Sequence, residues 1–244
     1  MPESLSVVIP VYNSEKTLEE IFNRLSRVLP RLCPYYELIF VDDGSKDKSF
    51  DKLKELHQKD QRVKGIQLTQ NFGQQHALMC GLNYTQGDLV ITMDDDLQHP
   101  PEEIGKLVTK IRMGYDVVYG IPKFKNHHKH RNASSELVNL VFSLLFFKPL
   151  GIRIGSFRIL KKSIVKRIIL EKRPFVYVSA LTFQHTRNVA NVLVNHEGRK
   201  YGSSNYNLIK LMAVFLNIII CFSYQFFHFS IFKKSQYEIR ENCF

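Results

Sequence analysis

The sequence predicts an α/β fold with a mostly parallel sheet and helices on both faces. Three observations carry it. Short apolar runs end abruptly in turn residues, segments with helical periodicity separate them, and a polar cluster follows each run that reads as a strand. Alternation of this kind builds parallel sheets covered on both sides, whose strands read as nearly continuous apolar runs because both faces are buried.

The first such run is Leu5-Ser6-Val7-Val8-Ile9-Pro10-Val11, closed by Tyr12-Asn13. A helix follows through Lys16–Leu25, with Leu18, Ile21, Phe22 and Leu25 on one face and Asn13 or Ser14 placed to cap it. The second strand is Tyr36-Glu37-Leu38-Ile39-Phe40-Val41, ended by Asp42-Asp43-Gly44-Ser45. A helix over residues 46–58 turns Phe50, Leu53 and Leu56 inward, then Val63–Leu68 is a strand and residues 74–84 a helix. The next strand, Leu89-Val90-Ile91-Thr92-Met93, stops in Asp94-Asp95-Asp96, followed by Leu97-Gln98-His99-Pro100-Pro101.

In open parallel sheets ligands bind beyond the carboxyl ends of the strands. Pro10-Tyr12-Asn13, Asp42-Asp43 and Asp94–Asp96 therefore converge on one crevice. Adjacent carboxylates raise one another's pKa unless a cation compensates them. A hard divalent ion takes oxygen ligands and commonly uses one or two carboxylates together with substrate phosphates, which points to Mg²⁺ or Mn²⁺ with a diphosphate. The competing reading of the acidic triplet is a solvated turn, and that of Asp43 is a helix N-cap.

Taken in order, Val8-Ile9-Pro10-Val11-Tyr12-Asn13, Val41-Asp42-Asp43-Gly44-Ser45, Asn71-Phe72-Gly73, Met93-Asp94-Asp95-Asp96-Leu97-Gln98 and Gly155-Ser156-Phe157-Arg158 resemble the inverting family 2 glycosyltransferases of the GT-A fold. Within these the chain is similar to the enzymes that load a sugar onto polyprenyl phosphate, the dolichyl-phosphate mannose synthases and their undecaprenyl-phosphate relatives. The resemblance covers about residues 6–206. It implies a nucleotide pocket lined by Pro10, Tyr12 and Asn13, with Asp42 on the base or ribose. It places Asp94 and Asp96 at the family's Asp-x-Asp, ligating the metal or supporting the ribose, and Gln98 at a further metal-site contact. Asp95 stands where relatives commonly have Ala; it is grouped with the nucleotide pocket, its extra charge tolerable if it faces solvent.

The reaction so implied transfers a sugar from a UDP- or GDP-linked donor to dolichyl or undecaprenyl phosphate. A phosphate monoester is already a nucleophilic anion near neutral pH, so positioning and neutralisation of the leaving diphosphate dominate catalysis. Arginine meets phosphate in a bidentate fork, which makes Arg158, Arg199 and Arg131 the acceptor-phosphate candidates. Many relatives carry an arginine where this chain has Pro122, so Lys123 is the candidate replacement on the donor phosphates. The run His127-His128-Lys129-His130-Arg131 reads as a solvated loop rather than a transition-metal site, and residues 134–145 as an apolar helix near a membrane.

Lys and Arg number 34 against 23 Asp and Glu, a formal net charge of +11, which favours an anionic partner. No nucleic-acid motif accompanies it. The basic residues cluster instead at 123–131, 153–173 and 199–200, and residues 211–232 contain no Asp, Glu, Lys or Arg, a pattern suited to an anionic leaflet. The apolar run is long enough to span hydrocarbon, although Asn217, Gln225 and His228 also suit an interfacial helix; an interfacial segment or single anchor is expected. The chain is thus divided into a catalytic domain at 1–206 and a membrane-associated tail at 207–244. Four scattered cysteines and the lack of an N-terminal signal pattern place the catalytic domain in the cytoplasm. A homo-oligomer on the membrane side fits the apolar helices. Two other readings stay open here: a family 2 transferase with a polysaccharide or other acceptor, and a catalytically silent binding or assembly relative.

Overall fold

A computed structural model of the chain describes residues 3–123, 148–171, 177–198 and 237–244. Along it run β1 (Ser4–Val11), α1 (Glu15–Leu32), β2 (Tyr35–Asp42), α2 (Ser49–Lys59), β3 (Val63–Leu68), α3 (Gln74–Asn83) and β4 (Leu89–Thr92). A 3₁₀ turn at Pro101–Glu103 leads into α4 (Ile104–Ile111), then β5 (Val117–Pro122), β6 (Arg158–Lys161), α5 (Lys162–Ile168), α6 (Val178–His185), β7 (Val189–Val194) and β8 (Ile239–Cys243).

The strands form one sheet in the order β7-β5-β6-β4-β1-β2-β3-β8. Strands β3, β2, β1 and β4 are mutually parallel, and β6 runs antiparallel between β4 and β5. The chain winds outward from β1 through β2 to β3 and returns to β4 on the other side of β1. The crevice between the carboxyl ends of β1 and β4 is therefore the topological switch point.

Each face of the sheet buries its own core. Leu5, Val7, Ile9 and Val11 of β1 pack with Leu18, Ile21, Leu25 and Leu29 of α1 and with Leu107 and Ile111 of α4. Val8 points the other way, among Ala77, Leu78 and Leu82 of α3 and Leu181 and Phe183 of α6. The spacing of the buried α1 residues is the helical repeat, and each fully buried aliphatic side chain stabilises by about 2 kcal/mol. Pro10 is tolerated in a central strand because its nitrogen faces β4, whose ladder with β1 ends at the Val8–Thr92 pair.

Two local expectations change. Ser14 occupies the N-cap of α1 but makes no side-chain cap bond; its hydroxyl is engaged by Asp95 and the Tyr12 carbonyl. Residues 237–244, assigned to the tail by their sequence, instead extend the catalytic sheet: β8 pairs antiparallel with β3, Ile66 opposite Asn242. The His-rich run, residues 134–145, the apolar run 211–232, Arg131 and Arg199 lie outside the described residues. Among the described residues no helix is long and apolar enough to cross a membrane.

Candidate active site

Strand ends place the polar residues. β1 delivers Pro10, then Tyr12 at 36 % exposure and Asn13 in the left-handed region with φ 53°, a conformation asparagine tolerates better than most residues. The Asn13 amide donates to Ser45 Oγ at 2.8 Å, and its side-chain oxygen accepts from the Lys46 amide at 2.8 Å. The β1 turn is thereby fastened to the β2 turn.

β2 delivers two buried acids. Asp42 is 0 % exposed and accepts from the Ser45 amide at 3.3 Å and Gln67 Nε2 at 3.2 Å. Burial raises its pKa above the ordinary carboxylate range. The carboxyl expected at the base or ribose thus lies buried beneath the β1 and β2 turns, held there by Ser45 and Gln67. Asp43 accepts from the amides of Phe72 and Gly73 at 2.7 and 2.8 Å, fixing the approach to α3, and burial pushes its pKa up to about 6. It does not cap α2; Asp47 accepts from the Ser49 amide at that helix's start. Gly44 stands between them with φ 67°, and a Cβ there would lie 2.5 Å from the Gln70 carbonyl carbon, so only glycine fits.

β4 delivers the acidic triplet, and its members differ. Asp94 accepts from Gln74 Nε2 and from Ser156 Oγ, each at 2.6 Å. Asp95 turns toward β1, where one of its oxygens accepts the Tyr12 amide at 3.1 Å and the Ser14 hydroxyl. Burial pushes its pKa up to about 6. The Asp95 charge, tolerable at this position if it faces solvent, is met here by two donors from the neighbouring turn. Asp96 accepts from the Gln98 amide at 3.0 Å across Leu97, whose φ is 62° and whose side chain is wholly buried. A buried leucine in the left-handed region is sparsely populated backbone, held by its surroundings, and here it fixes the direction of the acidic loop.

Arg158 opens β6 at 2 % exposure, donating to Thr92 Oγ1 at 3.1 Å and Ser179 Oγ at 2.7 Å. Thr92 in turn donates to the Ser156 carbonyl at 2.6 Å. The acceptor-phosphate role expected for Arg158 is not met by this arrangement; the guanidinium lies inside the core and acts on Asp94 through Thr92 and Ser156. Lys123 stands exposed beyond the end of β5. The residues missed by the sequence reading are Ser14, Ser45, Gln74, Thr92 and Ser179. Gln74 directly follows the Asn71-Phe72-Gly73 motif, a position that could have signalled it.

Asp94 and Asp96, with the side-chain carbonyl of Gln98, offer the hard oxygens that Mg²⁺ or Mn²⁺ prefers. Among the described residues no group of three or more His, Cys, Asp or Glu side chains could hold a metal by itself. A surface groove of about 710 Å³ beside α1, lined by Arg24, Glu102 and Glu197 among others, contains none of these residues.

Residues 6–169 match the family model described as glycosyl transferase family 2. The chain is 35% identical over 218 residues to the undecaprenyl-phosphate 4-deoxy-4-formamido-L-arabinose transferase of Edwardsiella ictaluri (strain 93-146), covering 89% of this chain and 67% of that one. It is 36% identical over 220 residues to the Proteus mirabilis (strain HI4320) protein of the same name, with the same coverage. Among solved structures, glucosyl-3-phosphoglycerate synthase from Mycobacterium tuberculosis in complex with Mn²⁺, UDP-glucose and phosphoglyceric acid superposes with a TM-score of 0.67 at 17% identity, over 91% of this chain and 80% of that one. The fold is GT-A-like, and the chain belongs to glycosyl transferase family 2.

Proposed function

We propose that the protein transfers a sugar from a nucleotide diphosphate donor to a polyprenyl phosphate at a membrane, with inversion and with Mg²⁺ or Mn²⁺. The observation that carries this reading is the gathering of Tyr12, Asn13, Asp94 and Asp96 around the β1–β4 switch point, in a chain whose relatives above are named for undecaprenyl-phosphate transfer.

The donor nucleotide lies across the turn of Tyr12 and Asn13, above the buried Asp42 and Asp43. Asp94 and Asp96, with Gln98, hold the metal, which when bound neutralises charge on the departing diphosphate. Ser156 and Gln74 hold Asp94 in one rotamer, so its orientation is set before substrate arrives. Lys123 meets the donor phosphates from the rim, and Arg131 and Arg199 are the cations for the acceptor. The acceptor phosphate, already anionic, needs no strong base. The basic and apolar stretches put the protein on a membrane surface, its catalytic domain cytoplasmic.

The test is transfer of radiolabelled sugar into the organic phase by membranes containing the protein, with polyprenyl phosphate and a panel of UDP- and GDP-sugars. Product that disappears with EDTA and with Asp96→Ala is the expected result. Transfer to a water-soluble acceptor, or nucleotide binding without transfer to any acceptor, would replace this reading.

A further inference from the structure

The loops at the carboxyl rim are joined in a closed circuit. From β1 to β2 the link is Asn13 with Ser45 and Lys46. From β2 to the approach of α3 it is the Asp43 carboxylate on the Phe72 and Gly73 amides. The next residue, Gln74, reaches Asp94 beyond β4, and its neighbour Asp95 returns to β1 through Tyr12 and Ser14. Each link joins loops distant in sequence, and the last one crosses the switch-point crevice.

We propose that Asp95 is a positioning residue: by bracketing Asn13 between the Tyr12 amide and the Ser14 hydroxyl, its carboxylate closes this circuit and sets the shape of the nucleotide crevice. The bracketed residue is the one with φ 53°, and a sparsely populated backbone conformation persists only where neighbours over-determine it. The Ser14 amide adds a further tie, donating to Ser49 Oγ at 2.9 Å. The same Asp95 oxygen, Oδ2, accepts both donors, so it acts as a two-fold acceptor. An amide oxygen has the same two lone pairs. Geometry rather than charge is what the crevice takes from this residue, which separates Asp95 from the metal-holding roles of Asp94 and Asp96.

The inference rests on the nucleotide-sugar reading above, and its test separates the two. Calorimetric titration with UDP and with GDP in Mn²⁺ is compared for wild type, Asp95→Ala, Asp95→Asn and Ser14→Ala, alongside hydrogen exchange of the Tyr12–Ser14 amides in the unliganded protein. Asp95→Ala is expected to weaken nucleotide binding about tenfold, the size of one lost hydrogen bond, and to speed exchange at Tyr12. Asp95→Asn should stay within about twofold of wild type, and adding Ser14→Ala to Asp95→Ala should cost little more. In transfer assays the loss should fall on the donor KM and spare kcat.

Equal loss in the Asn and Ala variants would assign Asp95 a charge role and overturn the proposal, as would unchanged binding and exchange in Asp95→Ala. Failure of the wild type to bind either nucleotide would remove the nucleotide-sugar reading, while exchange at Tyr12 would still decide whether Asp95 holds the turn.

Discussion

Single residues at this rim serve the frame as much as the chemistry. Asp43 shows it most directly. Its pKa of about 6 in the folded protein stands above the roughly 3.9 of an unfolded aspartate. The folded state therefore holds this proton more tightly, and the group's contribution to stability falls as pH rises from about 4 to about 6. Urea denaturation of wild type and Asp43→Asn should show the wild-type-minus-variant difference more positive at pH 4 than at pH 7, by about 2 kcal/mol; a difference flat with pH would refute the assignment. Arg158 supplies a second test. If its guanidinium is a core group tying Thr92 to Ser179, Arg158→Ala should lower unfolding free energy by about 3 kcal/mol. A phosphate ligand at an open site would leave stability unchanged and raise only the lipid KM. Gly44→Ala, forced to φ 67° against Gln70, should cost about 1–3 kcal/mol by the same measurement.

Among the elements, β8 is the one whose presence changes the molecule most. Without it β3 would expose its unpaired edge, a template for pairing with another chain. β8 covers that edge, with Cys243 Sγ so close to Gly65 that a Cβ on the glycine would lie 2.7 Å away. Phe244 packs its ring 5.3 Å from Tyr84 beyond α3, and the Thr69 amide donates to the Glu238 carbonyl at 2.9 Å. Deleting residues 237–244 is expected to speed amide exchange along β3 at least tenfold and to promote association in light scattering. Unchanged exchange in β3 would show that β8 contributes nothing to the edge.

At the scale of the whole molecule the sheet fixes a topology. β7 runs parallel to β5, and the two antiparallel steps through β6 make both parallel to β4, so β7 ends at the carboxyl rim. β8 begins at the same rim, Ile239 opposite Leu68. The segment after β7 that ends at Gly198 and the start of β8 at Tyr237 therefore lie at one rim of the same sheet. Membrane-impermeant maleimide should label Gly198→Cys and Glu238→Cys from the same side of sealed vesicles; labelling from opposite sides would break the β3–β8 pair.

The sequence by itself determined the parallel core of the sheet, the helices α1 to α3 and the convergence of three polar clusters on one crevice. Each is written in local terms: apolar runs that need two buried faces, a 3.6-residue repeat, and carboxylates at strand ends. Only the tertiary structure decided which carboxylate does what. Asp42, Asp94 and Asp95 are alike as residues, and their partners Gln67, Gln74, Ser156 and Ser14 lie far from them in the chain or across a loop. The same holds for Arg158, whose motif suggested a phosphate ligand and whose place opposite Thr92 in β6 turns it into the core. It holds for β8 too, a polar segment, Ile239-Arg240-Glu241-Asn242-Cys243, with no strand periodicity strong enough to read. A hydrogen-bond partner or an edge pairing is a property of two distant segments, and no pattern within either one contains it.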